Sequence, residues 1–314
     1  MPSRRPKLLS SSRPRPLNRI AKATSRTPTL SAKKGRSLIR AFHTLRKQHA
    51  AALVAGDGKK ATEYEAQMDA LGGLEAYQKA SLNGQGKERG GDSSGVLVGW
   101  LSKGAATELG SGTGKRKRAA DPNGVEKQRN VRRVLEVGCL STTNAVSKMR
   151  GVHMDRLDLH SQDAQIEQQD FMQRPIPTDE SKKYDVVSLS LVLNYVPDAE
   201  GKGEMLRRTC EFLRKPNHEV QEEEEEANTE EELYPCLFLV LPAPCVHNSR
   251  YLDEAHLARI MNSLGYSLIR QKLSSKLTYT LWRWDGWEAS SKQKFNKEEL
   301  KPGGARNNFC IVLK

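Results

Sequence analysis

The chain has 314 residues and a formal charge of +13, from 51 Lys and Arg against 38 Asp and Glu. That length permits one large α/β domain with additions, and no apolar run reaches the roughly 18–20 residues a membrane span needs. Five cysteines (139, 210, 236, 245, 310) fall in no CxxC or Cys/His grouping, which argues against a disulfide framework or a zinc site, so neither a membrane partner nor a metal is expected.

Residues 1–37 hold eleven Lys and Arg and no acid in a Ser/Pro-rich setting. With almost no apolar periodicity they read as a disordered basic tail. The remainder carries 51 − 11 = 40 bases against 38 acids, so the charge is concentrated in the tail. Such a segment suits a polyanionic partner, nucleic acid above all, or nuclear import, although a plain solvated tail has the same composition.

A helical region is expected over 38–103. Leu38, Phe42, Leu45, His49 and Leu53 recur at helical spacing; beyond Gly56-Asp57-Gly58, so do Tyr64, Met68, Leu71 and Tyr77. The pattern predicts an αα-hairpin whose second arm is interrupted at Gly72-Gly73. Residues 84–95 read as Gly-rich linker, and Val96 to Leu101 as a short apolar segment. A basic low-complexity linker follows over 104–130, where Lys115-Arg116-Lys117-Arg118 has the form of a nuclear-localisation patch.

From 131 to 314 short apolar runs alternate with helical patterns. Strands are expected at 133–137, 156–159, around Ile166 to Asp170-Phe171, within 184–196, and at 236–241. Helices are expected over 143–150, over 203–214 and around Leu257 to Leu264, with final strands in 266–284 and 308–313. The segment 219–232 packs nine Glu without a base and reads as a surface insert. Strand–helix alternation implies an α/β fold with a mainly parallel sheet, and the closing β-rich pair implies an antiparallel edge. That is the usual shape of a class I S-adenosylmethionine (SAM) methyltransferase, a Rossmann-like fold.

Ligands of open α/β sheets sit beyond the carboxyl ends of the strands. Gly138 ends the first strand, where the missing Cβ lets a ligand approach the backbone. The Glu-x-Gly-x-Gly pattern of SAM loops is incomplete, since position 140 is Leu, and a simple strand-capping glycine also fits. Ser141, Thr142 and Thr143 would open a helix whose free N–H groups suit a carboxylate. Asp158, 20 residues beyond Gly138, suits a ribose diol. Asp170 is placed to reach an adenine amine, or to cap a turn. Asn194 and Tyr195 either line the methyl-acceptor pocket or pack the core. Leu241 to Pro244 reads as a rigid loop, after which Arg250 and Tyr251 offer phosphate and base contacts or are incidental polar residues of a loop.

Several stretches together resemble one family: Leu71-Gly72-Gly73-Leu74-Glu75-Ala76-Tyr77-Gln78-Lys79-Ala80-Ser81, Gly91-Asp92-Ser93-Ser94, Trp100-Leu101, Arg156-Leu157-Asp158-Leu159, the run from Gln169 to Pro175, and the runs 188–197 and 239–251. They are similar to the fungal nucleolar 25S ribosomal RNA adenine-N1 methyltransferases over roughly residues 38–314. The resemblance implies SAM as cofactor, with Gly138 and Asp158 in the cofactor site. It also implies methylation of N1 of an adenine in large-subunit rRNA or a pre-ribosomal particle, and residence in the nucleus and nucleolus. No catalytic motif carries over; Asn194-Tyr195-Val196-Pro197 is a distant echo of the Asn/Asp-Pro-Pro-Tyr signature. A non-catalytic SAM sensor acting through protein partners is the alternative, with the hairpin as its docking surface.

Overall fold

The computed structural model describes residues 31–84, 92–104, 131–161, 163–216, 233–286 and 293–314. The basic tail to residue 30, the Lys115–Arg118 patch and the acidic insert lie outside them.

The sheet has seven strands in the order β3-β2-β1-β4-β5-β7-β6: β1 Arg132–Val137, β2 Val152–Asp158, β3 Glu167–Gln168, β4 Val186–Ser190, β5 Cys236–Pro242, β6 Tyr266–Leu273 and β7 Leu277–Trp284. Strands β3, β2, β1, β4 and β5 are parallel, whereas β7 pairs antiparallel with β5 and β6 with β7. The expected α/β architecture with an antiparallel edge is present. Its source differs, because both antiparallel strands come from 266–284 as one hairpin. Residues 308–313 join no sheet: Val312 donates its N–H to the Ala199 carbonyl at 2.9 Å, and Leu313 bridges Phe295.

Alternation along the strands builds two cores. Leu135, Val137, Val187, Leu189, Leu237 and Leu239 face α5 (Ala199–Phe212) and α7 (Glu254–Ser263), where Leu206, Phe212, Ile260 and Met261 are buried. Val134, Val186, Phe238 and Val240 face the opposite side. No helix of the β1–β2 crossover covers that side. The expected helix at 143–150 is only a 3-10 turn at Val146–Lys148, and the covering helix is α4, Ser94–Gly104, from earlier in the chain. Val96–Leu101 is therefore helical: Leu97 is fully buried, and Leu101 packs with Val146. Asp185 ties the parallel centre together, its carboxylate accepting the Arg133 backbone N–H at 2.6 Å and an Arg214 guanidinium N–H at 2.9 Å.

In place of the expected two-armed hairpin the described residues form three helices: α1 Ala32–Val54, α2 Gly58–Ala70 and α3 Gly73–Gly84. Helix α1 begins inside the stretch read as disordered, with Ser31 accepting the Lys34 N–H. Gly72 and Gly73 both have positive φ, +94° and +62°, which turns the chain sharply and divides the second arm in two. Leu241 to Pro244 is not a loop either, since Pro242 ends β5 and α6, Ala243–His247, follows directly. Helices α2, α5 and α7 start at Asp57, Asp198 and Asp253, each accepting a first-turn N–H. No helix among the described residues is long and apolar enough to cross a membrane.

Candidate functional site

The strand order reverses between β1 and β4, so the crevice of the sheet opens beyond Val137 and Ser190. Gly138 stands on one lip with φ +72°. A Cβ there would come within 2.6 Å of Val192 Cγ2, so glycine is required by the backbone and by the opposite lip. On that lip Leu191 has φ +59°, a left-handed conformation costly for a leucine. Strain of this kind concentrates where backbone position matters to function.

Asp158 ends β2, half-buried at the same edge. Its Oδ1 accepts the His160 N–H at 2.9 Å, and its other oxygen has no partner among the described residues. Asp170 lies just past β3, where Oδ1 accepts the Met172 N–H at 2.8 Å in a local turn. The turn cap weighed for Asp170 is thus present at one oxygen, while the other is unclaimed among the described residues. Gly138, Asp158 and Asp170 follow three adjacent strands on one edge of the sheet.

The residues after β1 make no helix. Of the expected turn, Thr143 donates its N–H to the Ser141 hydroxyl at 3.3 Å, and farther on Ala145 donates to Asp92 and Val146 to the Ser94 hydroxyl at 3.2 Å. Glu136 points toward this loop, each carboxylate oxygen lying 2.8 Å from the donating Asn144 amide nitrogen and Oε2 also accepting from the Cys139 thiol at 3.3 Å. Burial raises the Glu136 pKa, against the lowering effect of those donors. Burial likewise lifts Cys139 far above the ordinary thiol range, with the Glu136 charge adding to it. Glu136 was expected only as the acid of the Glu-x-Gly-x-Gly pattern and Asp92 only within the Gly91–Ser94 motif, neither as a site residue, and Asn144 was not singled out; an acid at the end of an otherwise apolar strand was the available signal.

The N-terminal helices roof this edge. Gln78 of α3 donates from Nε2 to the His160 carbonyl at 2.6 Å, beside Asp158. Ser93 shares a 2.7 Å hydroxyl–hydroxyl bond with Ser190. Over the mouth of β4, the His43 ring of α1 stacks on Tyr195 with centroids 3.9 Å apart, and Tyr77 meets Tyr195 edge-on at 6.1 Å. His43 stood off the predicted apolar stripe, and no local pattern marks it.

His43 is held neutral. Burial, with help from Arg46 and Lys47, lowers its pKa from 6.5 to about 3. A histidine with a depressed folded pKa destabilises the docked form as pH falls below 6.5, because only the released form takes the proton. Lowering the pH from 6.5 to 5 should therefore cost about 2 kcal/mol at 1.36 kcal/mol per unit. Thermal melts at pH 7 and 5 should show a larger loss for wild type than for His43→Phe, and equal losses would refute the linkage.

Nearby, Lys202 of α5 is 4% exposed and donates to the Asp198 carbonyl at 2.8 Å. Burial and the Lys47 charge bring its pKa down to about 8. Arg250 and Tyr251 are not drawn into this cluster. Arg250 donates its guanidinium to Asn308 Oδ1 and caps the Tyr251 ring, 5.5 Å from its centroid, so its recorded contacts hold the C-terminal segment. Among the described residues no group of three or more His, Cys, Asp or Glu could hold a metal ion.

A family profile described as 25S rRNA (adenine(2142)-N(1))-methyltransferase, Bmt2, matches residues 62–311. A Schizosaccharomyces pombe protein named 25S rRNA adenine-N(1) methyltransferase is 33% identical over 302 residues, covering 95% of this chain and 98% of that protein. The Saccharomyces cerevisiae 25S rRNA (adenine(2142)-N(1))-methyltransferase is 32% identical over 248 residues, or 79% of this chain and 62% of that one. Among solved structures, magnesium protoporphyrin IX methyltransferase (ChlM) from Synechocystis PCC 6803, with bound SAH, is similar at TM-score 0.37 and 15% identity, over 61% of this chain and 81% of that one. The N-methyltransferase NodS from Bradyrhizobium japonicum WM9 is similar at TM-score 0.33 and 10% identity, over 50% and 79%.

Proposed function

Because the chain belongs to the Bmt2 family of 25S rRNA adenine-N1 methyltransferases, we propose that SAM and an adenine of large-subunit rRNA meet at the C-terminal edge of its sheet, with Asp158 holding the cofactor. The protein is a SAM-dependent methyltransferase acting on adenine N1 in rRNA. SAM supplies, when bound, an electrophilic methyl group carried on a sulfonium.

The observation that supports this placing is the Asp158 carboxylate, at the end of β2 beside the switch-point crevice. One of its oxygens serves the His160 N–H, and the other is free among the described residues to accept a ribose hydroxyl. Asp170 offers a free oxygen in the corresponding place after β3, suited to an adenine amine. Gly138 keeps the β1 lip low against Val192. Asn194 and Tyr195, just beyond β4, are the candidates to receive the acceptor, Tyr195 lying under the His43 ring in this structure.

Adenine N1 carries its lone pair at neutral pH, so no base has to remove a proton before attack. The side chains agree with that economy. Burial pushes the Cys245 thiol up to about 11 and raises the Tyr195 phenol, so both remain protonated at neutral pH. What the chain supplies is alignment, and holding the reacting atoms in line can provide most of the acceleration. N1 lies on the Watson–Crick edge, so the target base must be unpaired or extruded.

Purified protein, labelled SAM and unmodified 25S rRNA test the proposal. The expected product is label recovered as N1-methyladenine; tight SAM binding without transfer would favour the sensor reading. Nuclear and nucleolar residence is proposed on the eleven bases of residues 1–37 and on Lys115–Arg118. A fluorescent fusion in which both are neutralised should leave the nucleus, and one that stays would refute their role.

A further inference from the structure

Two buried polar atoms at the mouth of β4 have no hydrogen-bond partner among the described residues: Oδ1 of Asn194 and Nε2 of His43. Leaving a donor or acceptor buried and unpaired is costly, and native proteins rarely tolerate it without a reason. One belongs to the His43 ring, which lies 3.9 Å from Tyr195 at an interplanar angle of 32°, and the other to the residue that precedes Tyr195 in the same 3-10 turn. A flat, neutral, nitrogen-containing ring on a tyrosine, with an unused amide carbonyl on the preceding residue, has the shape of a bound nucleobase. We propose that His43 keeps the seat of the target adenine, which on entry displaces it, stacks on Tyr195 and donates an N6–H to Asn194 Oδ1.

The inference rests on the methyltransferase reading above and adds to it the residues that choose the base. A purine overlaps the phenol ring more fully than an imidazole does, and base–aromatic stacking is favourable for any base. The amide carbonyl provides the discrimination. Adenine presents a donor at position 6, whereas guanine presents an acceptor there, which would oppose Oδ1. The same bond favours the reaction itself. As the N1 lone pair forms its bond to the methyl carbon and the carbon–sulfur pair leaves with sulfur, positive charge spreads over N1, C6 and N6. An acceptor on N6–H then holds the transition state more strongly than the ground state. Arg46 and Lys47, exposed beside His43 on α1, meet an incoming RNA backbone first, and drawing α1 toward phosphate opens the seat.

Four variants test the proposal, each measured for methyl transfer to unmodified 25S rRNA, for SAM affinity by calorimetry and for melting temperature. Asn194→Ala should lower kcat about 10- to 100-fold with SAM affinity unchanged, and Asn194→Asp, which retains the acceptor, should recover most of it. His43→Ala should lower the KM for RNA severalfold by emptying the seat. His43→Phe, which fills the same space, should raise that KM and guards against a His43→Ala protein that does not fold. Loss of transfer in His43→Ala with normal folding, or Asn194→Ala matching wild type, would overturn the proposal while leaving the enzyme reading intact. A wild type that binds SAM and transfers nothing would remove the broader reading instead, and this one with it.

Discussion

Replacing Asp158 with alanine will weaken SAM binding about 100-fold and leave the fold in place. A hydrogen bond to a charged acceptor contributes about 1.5–3 kcal/mol, and the middle of that range corresponds to a factor near 40 for one bond, more when a carboxylate serves two hydroxyls. The structural duty of the side chain is small by comparison. Its one recorded bond, to the His160 N–H, lies at a half-exposed strand end where water can replace the carboxylate, and the strand itself is held by backbone pairing to β1 and β3. Asp158→Asn separates charge from shape: it keeps an acceptor and should lose about 10-fold. Calorimetry against SAM at constant salt, with melting curves as control, decides the matter. An Asp158→Ala protein that binds within threefold of wild type would place the cofactor elsewhere.

The residues legible in advance were those whose chemistry is local. Gly138 and Asp158 could be set at the ends of β1 and β2 because strand ends, glycine and an isolated acid each carry a one-dimensional signal, and the parallel β1–β2 register does bring those ends together. The same holds for the apolar alternation of β4 and β5, which gave the sheet its centre. What escaped were pieces whose place is decided by distant partners. Val96–Leu101 carried too short an apolar run to distinguish helix from strand, and only the missing helix of the β1–β2 crossover explains why α4 lies on the sheet, with Val146 against Leu97 and Leu101. Residues 308–313 have the composition of a strand, yet the hairpin of β6 and β7 occupies the sheet edge and the segment settles on α5. His43 is the clearest case, because its contact with Tyr195 joins residues 152 positions apart in a reading that saw only helical stripes.

That displaced C-terminal segment underlies the second large effect: Gly203→Ala will destabilise the protein by about 2 kcal/mol. Alanine in a helix interior is favoured over glycine by about 1 kcal/mol, so an isolated helix would be strengthened. In α5 the new Cβ would stand 1.9 Å from the Val312 carbonyl oxygen and 2.8 Å from its carbon. The obstacle is backbone, which no change of rotamer removes, and it is fixed by the bonds of Val312 to Ala199 and of Leu313 to Phe295. Overpacking of this kind costs about 3 kcal/mol, which outweighs the propensity gain. For a chain of this size the net loss lowers the melting temperature by about 4–8 °C. Gly99→Ala supplies the contrast: it too is helical, in α4, but a Cβ there meets nothing within 4 Å among the described residues, so it should hold or raise stability. If both variants melt together, the close contact of the C-terminal strap with α5 is not what requires glycine at 203, and the segment must be held to the domain by Phe295 and the core around Ile311 alone.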